Sequence, residues 1–163
     1  MAISTCCFTG HRKIEPNKKE NIDQVLYETL EELAKQGTVY FKAGGALGFD
    51  TIAAKCVLRL KRHMPKIKLH LVLPHKQQSA GWSAANKAVY EEILAKADEK
   101  EYISENYAVG CMQQRNRRLI ENSDMCICYY VDKQGGTGYT VRYAEKKGLR
   151  IMNVADMLGT DIF

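Results

Sequence analysis

The sequence contains no apolar run near the ~20 residues needed to cross a bilayer, and its opening, MAISTCCFTGHRK, lacks the basic-then-apolar order of a signal peptide. A membrane-bound or exported protein is therefore not expected. Also missing are a linker, an internal repeat and any low-complexity tract, so the 163 residues are expected to form one domain over their whole length. There is no Cys-x-x-Cys pair, which excludes the usual spacing of a structural zinc site. The six cysteines include the adjacent Cys6 and Cys7 and the alternating Cys126 and Cys128, both within strand-like apolar runs. They read as core thiols of a protein in a reducing, cytoplasmic setting. No metal site and no tightly bound cofactor are expected.

Two phosphate-binding motifs are absent as well. No Lys-Ser or Lys-Thr follows a glycine loop at Walker spacing, and nothing matches Gly-x-Gly-x-x-Gly. P-loop hydrolysis and the ordinary dinucleotide fingerprint are thereby disfavoured. What the chain does have is 45% hydrophobic and 26% charged residues, ordinary globular values, and a formal charge of +5 that favours anionic partners.

Periodicity alternates strand and helix from end to end. Strands are expected at 4–9, 38–43, 67–73, 101–104, 125–131 and 150–154. The first helix carries the stripe Ile22, Val25, Leu26, Leu30 and Leu33, opened by a capping pair of Asn17 with Glu20 and closed by Gly37. Asp50 or Thr51 is expected to cap the second helix and Ser83 the third. A helical segment over 110–122 and a helix that follows the glycine turn Gly135-Gly136-Thr137-Gly138 and ends at Gly148 complete the set. The resulting fold class is α/β: a single Rossmann-like three-layer domain, its mostly parallel sheet covered by helices on both faces through right-handed crossovers.

Three loops of unusual composition each follow an expected strand: Gly10-His11-Arg12, the run from Gly44 to Asp50, and Gln134-Gly135-Gly136-Thr137-Gly138. In an open parallel sheet such loops share one edge, where ligands bind at the reversal of strand order. Their glycines bring backbone N–H groups and helix N-termini close to an anion, which suits phosphate; tight turns alone would use the same glycines. Arg12 offers a guanidinium fork and His11 either a ligand contact or a loop-bracing hydrogen bond. Arg115 and Asn116 stand near the start of their helix, within reach of the crevice, while Arg117 and Arg118 fit a solvated basic face. Trp82 serves as an aromatic plate for a base or as a hydrophobic lid. Asp132 accepts from a ribose hydroxyl or is an ordinary turn aspartate. His63, His70 and His75 have no ligand-like spacing.

The runs Cys-Cys-Phe-Thr-Gly-His-Arg, Gly-Gly-Ala-Leu-Gly-Phe-Asp, Gln78 with Trp82, Gln-Arg-Asn-Arg-Arg-Leu-Ile-Glu-Asn-Ser-Asp and Gly-Gly-Thr-Gly-Tyr-Thr, in that order, resemble the YpsA-like branch of the SLOG superfamily over nearly the whole chain. The resemblance implies a Rossmann-like fold whose glycine loops bind nucleotides or nucleotide-derived ligands. It marks as ligand-binding Gly10, His11 and Arg12; Gly44, Gly45, Ala46, Gly48 and Asp50; Gln78 and Trp82; Arg115 and Asn116; and Gly135, Gly136 and Thr137. It assigns no catalytic residue. The expected partner is a small phosphorylated ligand, with weak nucleic-acid binding beside it.

The superfamily also contains the DNA-processing protein DprA, which implies single-stranded nucleic-acid binding as an alternative. Its cytokinin-activating phosphoribohydrolases imply another. Against their Pro-Gly-Gly-x-Gly-Thr-x-x-Glu motif, this chain has Gln134 for the proline, Tyr139 for the threonine and Arg142 for the catalytic glutamate.

Overall fold

A computed structural model describes residues 3–131 and 135–158. Six strands form one parallel sheet in the order β4-β3-β2-β1-β5-β6: β1 (Thr5–Gly10), β2 (Tyr40–Ala43), β3 (Lys68–Leu73), β4 (Glu99–Tyr102), β5 (Met125–Tyr129) and β6 (Arg150–Asn153). The helices are α1 (Lys19–Lys35), α2 (Phe49–Lys61), α3 (Ala84–Lys96), α4 (Cys111–Ile120) and α5 (Gly135–Lys146).

Side-chain alternation along the central strands explains the three layers. Cys6 and Phe8 of β1, with Met125, Ile127 and Tyr129 of β5, join a core with α1, α2 and α3. Cys7, Cys126 and Cys128 point the other way, into a smaller core with Leu119 and Ile120 of α4 and Val141 and Ala144 of α5. All six cysteines are free and buried. Burial pushes the Cys128 thiol up to about 12 and raises Cys6 as well, so these sulfurs pack as small hydrophobes and are poor nucleophiles at neutral pH.

Four local expectations need correction. Asn17 and Glu20 make no capping box: a 3-10 turn at Pro16–Lys18 leads into α1, whose N-cap is Lys18 without a side-chain cap. The proline presets a helical φ one turn early, so the chain enters α1 already wound. Neither Asp50 nor Thr51 caps α2; Gly48 holds that place, while the Thr51 hydroxyl donates to Ala46 O at 3.0 Å. Strand β4 begins at Glu99, two residues earlier than the pattern predicts. Asp98 sets this register, its N–H donating to Leu69 O and its carboxylate accepting from Leu69 N–H. Strand β5 stops at Tyr129 because the Asn153 amide replaces the ladder, bonding both Tyr130 N–H and Tyr130 O. Ser83 does cap α3, accepting from Asn86 N–H at 3.2 Å.

Candidate functional site

Strand order reverses between β1 and β5, the two strands that lead into α1 and α5 on opposite faces of the sheet. A crevice of about 600 Å³ opens at their carboxyl ends. Residues from the loops after β1, β2 and β5 and from the first turns of α4 and α5 line it.

The wall on the β1 side is braced by His11. Its N–H donates to Tyr129 O at 3.1 Å, its carbonyl accepts from Phe49 N–H at 3.1 Å, and its Nε2 accepts from Val131 N–H at 3.0 Å. The residue thus ties the loops after β1 and β5 to the start of α2, and it also lines the crevice. Close approach of these segments requires glycine at two places. A Cβ on Gly10 would stand 2.5 Å from the Phe49 ring, and one on Gly48 would meet the backbone of His11 and Arg12.

Beneath the crevice lie two charged groups. Arg115, only 4% exposed, donates from Nη1 to Gly44 O and from Nε to Asn116 Oδ1 at 2.8 Å. Asp50, 6% exposed, accepts from Ala46 N–H at 3.3 Å through Oδ2, while its Oδ1 has no hydrogen-bond partner among the described residues. Burial pushes the Asp50 carboxyl up to about 6, against the opposing pull of Arg115, the Ala46 N–H and Arg12. Burial likewise lowers Arg115, opposed by Asp50. Arg12 and Lys13 stand above them, exposed at the mouth. On the opposite wall α5 begins at Gly135, and its first N–H groups have no partner inside the helix. The arrangement suits an anion. Among the described residues no group of three or more His, Cys, Asp or Glu could hold a metal ion.

This charge pattern has a pH consequence. A proton on Asp50 removes a negative charge at the crevice, so affinity for an anion there is expected to rise as pH falls through about 6. Sulfate, whose own charge is constant there, should bind several-fold more tightly near pH ~5 than near pH ~7 by calorimetry, and Asp50→Asn should flatten the profile. The same raised carboxyl lowers the fold's stability as pH rises from the ordinary 3.8 to about 6, with no further change above.

Of the residues singled out in the sequence, Gly10, His11, Arg12, Ala46, Asp50, Arg115, Asn116, Gly135, Gly136 and Thr137 come together around the crevice. Gly44, Gly45 and Gly48 shape the turn from behind and do not line it. Gln78 and Trp82 brace that turn: the Gln78 amide donates to Gly45 O and to Tyr90 Oη, both at 3.3 Å, and Trp82 packs edge-to-face on Tyr90. Trp82 is thus a core anchor and no plate in the crevice. Asp132 lies outside the described residues. Thr9, Lys13, Met112, Gln113 and Val131 line the crevice without having been anticipated. Lys13 directly follows the Gly-His-Arg run and Val131 closely follows β5, so proximity to a strand's carboxyl end was the available signal. Arg117 bonds Tyr139 Oη at 3.2 Å, and Arg118 pairs with Glu101 at 3.1 Å, away from the crevice. Arg142, at the position of the phosphoribohydrolase glutamate, is exposed and outside the crevice lining.

The profile of the YpsA family, described as the YspA SLOG family, matches residues 6–161. The chain belongs to that family. Similar to it is the SPbeta prophage-derived protein YoqJ of Bacillus subtilis, 32% identical over 136 residues that cover 76% of this chain and 80% of YoqJ. A UPF0398 protein of Halalkalibacterium halodurans is 32% identical over 141 residues, covering 85% of this chain and 72% of the relative. The fold is Rossmann-like and similar to that of DNA processing protein A. The Helicobacter pylori protein, solved for its single-stranded DNA binding mode, superposes with a TM-score of 0.65 at 27% identity, covering 92% of this SLOG chain and 64% of that one. The Streptococcus pneumoniae protein gives 0.53 at 15% identity, covering 99% and 62%, a likeness of fold alone. This chain therefore spans less than two thirds of either solved chain. No helix among the described residues is long and apolar enough to cross a membrane.

Proposed function

We propose that the crevice binds the phosphate-bearing end of a nucleotide or nucleotide-derived ligand. The observation that carries this reading is the convergence of the α5 N-terminus with Arg12 and Lys13 over buried Arg115, in a space of about 600 Å³. That volume is in the range of small-ligand pockets, and helix N–H groups with guanidinium forks are the usual phosphate donors. Native mass spectrometry of the freshly purified protein tests for a ligand carried through purification. Arg12→Ala should weaken nucleotide binding by ~1–3 kcal/mol, the range for a hydrogen bond to a charged group, with little change in melting temperature because the side chain is exposed. Equal affinity of mutant and wild type in calorimetry would remove Arg12 from the site.

A second reading, single-stranded nucleic acid with a backbone phosphate in the same crevice, is supported by the 27% identity to the Helicobacter pylori protein. Salt separates the two, because each backbone phosphate neutralised releases counterions and steepens the loss of affinity with ionic strength. A nucleotide held in the crevice keeps a shallow slope. Replacing Arg117 and Arg118 together by Ala should reduce oligonucleotide binding and spare the nucleotide, since neither lines the crevice.

A further inference from the structure

Beyond the crevice, the same carboxyl edge of the sheet carries the loops after β3 and β4, and exposed rings gather there. Tyr102 is 37% exposed and Tyr107 67%. The His75 ring meets Tyr107 edge-to-face at 5.7 Å, and Lys76 Nζ lies 5.6 Å from the centroid of the Tyr102 ring while pairing with Glu105 at 3.1 Å. Single exposed rings are ordinary, but these rings and their cation sit on the end of β4 and on the loops after β3 and β4, which are clamped together. Ile103 N–H donates to Leu73 O at 2.9 Å, Ser104 N–H to Pro74 O at 3.1 Å and Lys76 N–H to Glu105 O at 3.3 Å. The rings are thus presented on short, fixed bases, so little ordering entropy is lost when something stacks on them.

We infer that this pair of loops is a stacking platform for a base of a single-stranded nucleic acid whose neighbouring phosphate lies in the crevice. The inference rests on the second reading above. Its warrant is proximity along the chain. The loop carrying Tyr107 runs straight into α4, whose Met112 and Gln113 line the crevice, and a turn from Cys111 N–H to Ala108 O shortens the path between them. An extended chain from Tyr107 to Met112 would reach only ~17 Å. Aromatic faces accept any base and a lysine beside them serves the backbone, which is the usual composition of sequence-tolerant single-strand tracks. A free mononucleotide in the crevice would leave the platform unused.

The test compares thymidine monophosphate with an oligothymidylate of about 12 nucleotides, by calorimetry and fluorescence anisotropy at low salt. Tyr107→Ala is expected to weaken the oligonucleotide about ten-fold and leave the mononucleotide unchanged, while Tyr107→Phe retains wild-type affinity because the ring face remains. Lys76→Ala should give a smaller loss and a shallower salt slope. If the mononucleotide fails to bind but Tyr107→Ala still weakens the oligonucleotide, the platform and the second reading stand and the free-nucleotide reading falls. Oligonucleotide affinity unchanged by Tyr107→Ala, equal losses for both probes, or no oligonucleotide binding by the wild type would each overturn the platform.

Discussion

Replacing Arg115 with Ala is expected to lower the stability of the fold by about 3–5 kcal/mol and to abolish anion binding in the crevice. The side chain is 4% exposed, and it serves three groups at once: the Gly44 carbonyl, the Asn116 amide oxygen and, electrostatically, the Asp50 carboxyl. Truncation leaves a buried carbonyl without its donor and a buried carboxyl without the cation that acts on it most strongly, both costlier than losing a contact at the surface. For a chain of this length such a loss lowers the melting temperature by on the order of 10 °C. Thermal unfolding measures it, and a second substitution identifies the cause. Adding Asp50→Asn to Arg115→Ala should restore about 1–2 kcal/mol, because the uncompensated charge is gone while an oxygen for Ala46 N–H remains. If the double mutant is less stable than Arg115→Ala alone, charge compensation is not what Arg115 supplies. Arg115→Lys should recover only part of the loss, since an ammonium cannot reproduce the fork that spans Gly44 and Asn116.

Gly48→Ala is expected to cost a comparable 3–5 kcal/mol, about the strain of a forbidden backbone plus a steric clash, although only one methyl group is added. Gly48 has φ 79° and ψ −121°, a conformation that L-residues other than glycine avoid. The added Cβ would also stand 2.5 Å from His11 O and 2.6 Å from the Arg12 carbonyl carbon, both backbone atoms that cannot rotate aside. Relief requires the loop after β1 to move, which breaks the Phe49 N–H bond to His11 O and displaces Arg12 from the crevice mouth. Stability and nucleotide binding should therefore fall together. By contrast, Gly81→Ala, where a Cβ would meet nothing within 4 Å, should leave both nearly unchanged. Wild-type nucleotide affinity in a folded Gly48→Ala protein would show that the crevice does not depend on this packing.

How much of this was legible in the chain differs by layer. Alternation of strand and helix, with near-continuous apolar runs such as Met125 to Tyr129, is a local signal, so all six strands, the parallel sheet and the convergence of three loops on one edge follow from the sequence. Most residues of the crevice were readable for the same reason: they lie at the carboxyl ends of strands or the starts of helices. Boundaries set by distant partners were not readable. The start of β4 is set by Asp98 against Leu69, and the end of β5 by Asn153, one residue reaching across to a neighbouring strand.

The sequence by itself also determined that glycines, His11, Arg12, Asp50 and Arg115 belong to one neighbourhood, but not which of them line the crevice. Tertiary packing alone decided that. It turned Gly45 and Gly48 inward as space for other backbones and side chains, used Gln78 and Trp82 to brace the turn, and drew Arg115 beneath the crevice. It also tied Arg118 to Glu101 on β4, away from the crevice. The physical reason is that composition and spacing encode which residues are near one another along an element. Burial, desolvation of Asp50 and the direction of each hydrogen bond arise only when elements distant in sequence share one volume.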